Sequence, residues 1–97
     1  MKLWFVYVVR NPGGILYTGI SKDPVRRIAD HNNGTGAKFT RGRGPWHQVY
    51  SEGPFDHGDA LRRELEIKKD AALKRQLKDL AFDFQASGPH ISREERE

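Results

Sequence analysis

Leu3-Trp4-Phe5-Val6-Tyr7-Val8-Val9-Arg10, then Asn11-Pro12-Gly13-Gly14, then Ile15-Leu16-Tyr17-Thr18-Gly19-Ile20: β-branched and aromatic residues on both sides of a turn-forming tetrad predict a β-hairpin at the start of the chain. The register of that hairpin decides what its two tyrosines do. With a plain four-residue loop, Arg10 pairs with Ile15 and Tyr17 lies opposite Val8, so Tyr7 and Tyr17 point to different faces. A three- or five-residue loop, or one bulge, brings both phenols to the same face. A shared site requires the second arrangement, and that is the expectation.

Downstream, Pro24 suits the first turn of a helix capped by Asp23 or Ser21, with Val25, Ile28, Ala29 and Asn32 on one face and an end near Asn33-Gly34. Residues 34–45 are glycine-rich, basic and without periodicity, which predicts a long loop. Trp46-His47-Gln48-Val49-Tyr50-Ser51 reads as a third strand. Asp56 is placed to cap a helix running through Asp59, Leu61, Leu65 and Ile67 to about Asp70, and Lys74 to Phe84 reads as a shorter helix. The polar stretch from Gln85 onward reads as a loosely held tail. The expectation is an α+β fold, order β-β-α-β-α-α, with helices flanking a small three-stranded antiparallel sheet: one domain over residues 1–84 and a tail over 85–97.

Composition narrows the function. A chain of 97 residues supports one modest core. The absence of cysteine excludes a disulfide framework, a thiolate zinc site and a thiol nucleophile, and fits a reducing compartment, the cytoplasm by default. The apolar run from Leu3 to Val9 is far too short to span a bilayer and no signal-like cleavage site follows it, so a soluble protein with no membrane partner is expected. Charge is uneven: residues 1–50 hold 8 Lys/Arg against 2 Asp, and residues 51–97 hold 9 against 11 Asp/Glu. A local basic excess points to an anionic partner, most simply a nucleic-acid backbone.

Several residues are suited to chemistry there. On the first helix Arg26 reaches Asp30 as a surface pair, while Arg27 shares a side with His31. Arg27 offers a planar, permanently charged fork to phosphate oxygens. His31 is placed to orient a phosphate or accept a proton, though a histidine near a helix end also serves as an ordinary hydrogen-bonding residue. On the second long helix Glu64 has Ala60, Leu61, Ile67 and Lys68 at three- and four-residue spacing, which puts it on or beside the apolar stripe. Glu66 falls among Arg62, Arg63 and Lys69, a solvated salt-bridging face. An inward carboxylate must be paired, hydrogen-bonded or coordinating a cation. In the basic loop Lys38, Arg41 and Arg43 lie near Phe39 and Trp46, a mixture that tracks phosphates while stacking on an exposed base.

Together these residues resemble the GIY-YIG nuclease superfamily. Phe5-Val6-Tyr7 stands for the first strand motif and Tyr17-Thr18-Gly19 for the second. Arg27 in Val25-Arg26-Arg27-Ile28 matches the helix arginine, His31 the histidine one turn later, and Glu64 in Ala60-Leu61-Arg62-Arg63-Glu64 the metal-binding glutamate. Leu16-Tyr17-Thr18-Gly19-Ile20, Gly36-Ala37-Lys38 and Arg41-Gly42 are similar to small single-domain bacterial members of UPF0213 type. More distant likenesses are the N-terminal nuclease domain of the excinuclease and the catalytic part of a structure-specific junction endonuclease. The chain departs from the pattern at Phe5, where a glycine is usual, and at Thr18, where an isoleucine is usual. No residue among Lys74, Arg75 and Gln76 clearly answers the polar residue some members carry beyond the glutamate.

The resemblance implies an endonuclease that hydrolyses DNA, in preference to RNA, with one divalent cation, Mg²⁺ or Mn²⁺, held by Glu64. It implies Tyr7 or Tyr17 as general base, assisted by the charge of Arg27 or Lys22, and Arg27 on the scissile phosphate. Two other readings stand beside it. One is a non-cleaving module that binds nucleic acid through Lys38, Arg41, Arg43 and Trp46; the other is a nuclease subunit that needs a protein partner for targeting.

Overall fold

The computed structural model describes residues 1–87. Strand β1 (Trp4–Arg10) sits at the centre of a three-stranded antiparallel sheet, between β2 (Leu16–Ser21) and β3 (His47–Phe55). Helix α1 (Pro24–Asn33) follows β2, a 3₁₀ turn (Lys38–Thr40) interrupts the basic loop, and α2 (His57–Lys69) and α3 (Ala71–Ser87) follow β3. This is the expected α+β order, with helices flanking the sheet.

The hairpin uses a five-residue loop: Arg10 pairs with Leu16, Val9 with Tyr17 and Tyr7 with Gly19. Asn11 holds the turn, accepting from the Ile15 N–H through its side-chain oxygen at 2.8 Å. Tyr7 and Tyr17 therefore share one face, as a common site requires.

Alternation along β1 builds two cores, because successive side chains leave opposite faces of the sheet. Val6 and Val8 pack with Ala60, Ile67 and Leu77 under α2 and α3. Tyr7 and Val9 pack with Trp46, Tyr17 and Ile28 under α1 and the loop.

Four local expectations need correction. The buried side of α1 is not Val25, Ile28, Ala29 and Asn32: Val25 is 80% exposed, and Ile28 and His31 face the sheet, the rotation that brings His31 to the Tyr7 hydroxyl. Leu61 and Leu65 are exposed, and the inward stripe of α2 is Ala60, Arg63, Glu64 and Ile67. The third strand begins after Trp46 and runs through to Phe55, with two register shifts against β1, one between Tyr50 and Gln48 and one between Phe55 and Glu52, where the strand passes the Gly53-Pro54 pair. The last helix begins at Ala71, where the Asp70 carboxylate accepts from the Leu73 N–H at 3.0 Å, and it continues through Ser87. Residues 85–87 are thus helical, and the rest of the predicted tail, 88–97, lies outside the described residues.

Capping of α1 follows the sequence. The Asp23 side chain accepts from the Arg26 N–H, Pro24 occupies the first turn, and Gly34 closes the end in the left-handed conformation at φ 81°. No described helix is long and apolar enough to cross a membrane.

Candidate active site

Tyr7 projects from the central strand across Gly19 of the edge strand. A Cβ at residue 19 would lie 2.6 Å from the Tyr7 hydroxyl and 2.8 Å from its Cζ, so only glycine lets the ring lie there. The Tyr7 hydroxyl then meets His31 Nε2 of α1 at 2.7 Å. His31 is 2% exposed. Its other nitrogen, Nδ1, lies 2.8 Å from the Thr40 hydroxyl oxygen, and that hydroxyl donates to the Ala37 carbonyl at 2.9 Å.

This chain of contacts fixes the tautomer. The single Thr40 hydroxyl proton is committed to Ala37, so Thr40 accepts from His31 Nδ1–H, and Nε2 carries the lone pair that accepts from Tyr7. Close approach is again secured by a glycine: a Cβ at Gly36 would fall 2.5 Å from His31 Nδ1 and 3.0 Å from its backbone N and Cα. The Gly36-Ala37-Lys38 pattern thus serves the histidine, and Thr40, to which the sequence reading gave no role, sets its polarity. The only signal for Thr40 lay in a hydroxyl shortly after that glycine.

Electrostatics agree with a neutral resting pair. Burial pushes the Tyr7 phenol well above its ordinary value, the neighbouring Tyr17 phenol pushes the same way, and the Arg27 guanidinium opposes them; Glu64 is close enough to add a smaller upward push. Burial lowers His31 from its ordinary 6.5, with Arg27 acting in the same direction and Asp30 against both. Tyr17 meets the His31 ring edge-on at 5.0 Å between centroids.

Arg27 is half-buried and its guanidinium reaches the Tyr7 phenol; its nearest carboxylate is Asp30 at 3.8 Å, a loose contact. The expected Arg26–Asp30 pair gives way to this one. Glu64 is 19% exposed at its side chain and touches Lys68 Nζ at 3.4 Å through one oxygen. Beside it, Arg63 grips Glu52 of β3 with two bonds, from Nε at 2.7 Å and from Nη2 at 2.8 Å, which pins α2 to the sheet next to Glu64. Among the described residues no group of three or more His, Asp or Glu side chains gathers.

The basic residues divide. Lys38, Arg41 and Arg43 are exposed on the loop. Lys22 lies over the Trp4 ring at 5.4 Å and is not among the charges acting on Tyr7, so of the two proposed assistants only Arg27 reaches the phenol. Trp46 is not a base-stacking residue: it is 1% exposed, its indole N–H donates to the Thr40 carbonyl at 3.0 Å, and Asn32 clasps its backbone on both sides. A tryptophan flanked by glycines and arginines suggested exposure, but the core beside Tyr7 and Val9 needed its volume.

The family model of the GIY-YIG catalytic domain matches residues 3–76. A UPF0213 protein of Staphylococcus aureus is 50% identical over 75 residues, covering 77% of this chain and 92% of the relative. One from Cronobacter sakazakii is 42% identical over 94 residues, covering 92% and 97%. One from Aeromonas hydrophila is 44% identical over 75 residues, 76% of this chain but 55% of the relative, so the chain spans about half the length of that protein. A solution NMR structure of a UPF0213 protein from Bacillus halodurans is 40% identical, covers 79% of this chain and 83% of that one, and superposes with a TM-score of 0.47. These names state no activity or substrate. With the two strand tyrosines, the helix arginine and histidine and the second helix's glutamate drawn toward one place, and the match running from residue 3 to residue 76, the chain belongs to the GIY-YIG family of nuclease domains.

Proposed function

We propose that the protein is a metal-dependent endonuclease that hydrolyses phosphodiester bonds in DNA, with branched, damaged or single-stranded DNA as substrate in repair or processing. The observation that carries this reading is the buried Tyr7–His31 hydrogen bond with its polarity fixed by Thr40. A phenol raised by burial is a poor phenolate at rest, yet it is a good relay. As Tyr7 Oη takes a proton from the attacking water, its own proton passes to His31 Nε2, so no free phenolate has to persist. Of the two phenols, Tyr7 is assigned this role because it alone bonds His31, and Tyr17 packs beside it. Arg27 would offset the charge that develops on the scissile phosphate.

The residues present fit one divalent cation. Glu64 is a single hard carboxylate, part-buried and committed on one oxygen only, a donor set suited to Mg²⁺ or Mn²⁺ that keeps most of its water. When bound there, the ion would supply Lewis-acid stabilisation of the leaving 3′ oxygen. Glu64 would hold it, and the Arg63–Glu52 clamp would keep Glu64 in place.

Purified protein incubated with branched and single-stranded DNA and Mn²⁺ is expected to cut, and Glu64→Ala and Arg27→Ala are each expected to abolish cutting. Equal cutting by both variants and the parent overturns the proposal. Salt-sensitive binding that survives Glu64→Ala, with no metal-dependent product, would favour the non-cleaving module. Copurification of a protein that persists after nuclease treatment would favour a partner-dependent subunit.

A further inference from the structure

We infer that Arg43 and Phe39 form a stacking subsite for one unpaired nucleobase next to the scissile phosphate; this rests on the proposed nuclease reading and narrows its substrate. The Arg43 guanidinium lies over the Phe39 ring, 4.9 Å from its centroid, and its Nε donates to the Phe39 carbonyl at 2.7 Å. Phe39 in turn stacks on Tyr17, 6.0 Å between centroids and 19° between planes, and Tyr17 meets His31 edge-on. Planar groups therefore run from the buried histidine to the surface, where Phe39 is 46% exposed and Arg43 is exposed.

Two features separate this stack from a solvated basic loop. Among the described residues no carboxylate pairs with Arg43, so its charge is not cancelled, and the contacts that hold it are a backbone carbonyl and a phenyl ring. The loop beneath is also tied down. Asn11 Nδ2 donates to the Arg43 carbonyl at 2.8 Å, the Arg43 N–H donates to the Thr40 carbonyl, and Thr40 is fully buried under the Trp46 indole bond. A preorganised guanidinium loses little freedom on binding, and a ring-backed guanidinium presents its flat side as a platform.

A flat cationic platform accepts the face of a base. In a continuous duplex both faces of each base are covered by its neighbours, so a base on this shelf must be splayed from its partner. Because the stack begins at Tyr17 and His31, that base belongs to a nucleotide adjoining the one cut. An intact duplex cannot occupy the shelf, whereas a single strand, or a branch with an unpaired nucleotide at the cut, can.

The test uses the full chain in EDTA, with fluorescence anisotropy on a single-stranded oligodeoxynucleotide in which one abasic site is moved position by position, and on the matching duplex. The parent protein is expected to bind roughly tenfold more weakly when the abasic site occupies one particular position, and to bind the duplex more weakly than the intact strand. Arg43→Ala and Phe39→Leu are expected to reduce that position-specific penalty to less than about twofold, while Glu64→Gln retains it. The inference is overturned if abasic sites cost the same everywhere, if Arg43→Ala weakens strand and duplex equally, or if no oligonucleotide binds. Cleavage assayed in parallel separates the two ideas. Mn²⁺-dependent cutting without a position-specific penalty removes the shelf and keeps the nuclease; a penalty without cutting does the reverse.

Discussion

The two faces of the central strand are built from the same alternating run and differ in kind. Below β1, Val6 and Val8 meet Ala60, Ile67 and Leu77, a buried cluster that is wholly aliphatic, with Trp4 and Tyr50 packed at its rim. Above it, Tyr7 and Val9 meet Trp46, and around them His31 and Thr40 are buried with every ring nitrogen and hydroxyl engaged. The first face gains stability by excluding water without regard to direction. The second buries polar groups at a cost, and retains them only because each partner sits at hydrogen-bonding distance and angle. Separation of the two lets one strand anchor the fold and position a reactive phenol.

Substitutions on either side break the comparison in different ways. The largest effect is expected from Tyr7→Phe, which keeps the ring over Gly19 and removes the relay: cleavage should fall by about 10²–10⁴-fold in single-turnover assays. Stability should drop by only about 1–3 kcal/mol, from the His31 nitrogen left without its donor. A loss of cleavage under tenfold would mean that chemistry does not pass through Tyr7. Ile67→Ala on the aliphatic face should do the opposite, costing about 2–5 kcal/mol in urea unfolding while folded protein keeps its rate.

Gly19→Ala joins the two properties, since its methyl would meet the Tyr7 hydroxyl at 2.6 Å. Stability should fall by about 1–3 kcal/mol as the ring is displaced, and the nuclease rate should fall along with it. Unchanged activity in this variant would show that the phenol has room the structure does not give it.

Protonation sharpens the contrast. His31 is held below 6.5 by burial and by Arg27. The unfolded chain therefore takes up this proton at higher pH than the folded one, and the histidine's contribution to stability is full above about pH 6.5 and lost as pH falls through the lowered folded value. Thermal melts from pH 7.5 to 5 should show a steeper acid-side decline for the parent than for His31→Gln. In the same window kcat/KM should rise with pH along a limb whose midpoint lies below about 6.5, because the relay needs the neutral ring. A midpoint above that value would assign the limb to another group.

The smallest effect belongs to the Glu52–Arg63 clamp, which is bidentate but partly open to solvent, with side chains 22% and 34% exposed. Arg63 holds the Glu52 carboxyl below its ordinary range. Glu52→Gln should cost ~1 kcal/mol or less in urea unfolding. If Glu64 depends on the clamp, the variant should also need more Mn²⁺ for half-maximal cutting.

Much of this was legible in the residues. The hairpin, the capped first helix and the order of elements follow from periodicity, turns and caps, while the candidate set Tyr7, Tyr17, Arg27, His31 and Glu64 comes from the resemblance to the GIY-YIG superfamily. The reading failed where a helix's rotation or a residue's neighbours across the fold decide its environment. Val25, Leu61 and Leu65 look like core residues and are exposed; Trp46 looks like a surface aromatic and is buried. Thr40 shows its role only once its hydroxyl is seen between Ala37 and His31.

The sequence by itself determined which local elements form and which reactive side chains they carry, because caps, turns and alternation act over a few residues. Only the tertiary structure decided that five residues close the hairpin loop, so that both phenols share a face, and that the His31 lone pair points at Tyr7. The loop length rests on the pairing of Arg10 with Leu16 and the Asn11–Ile15 bond, whereas the direction of the His31 lone pair depends on contacts between residues 9 and 24 positions apart, Thr40 with His31 and His31 with Tyr7, and no local pattern encodes it.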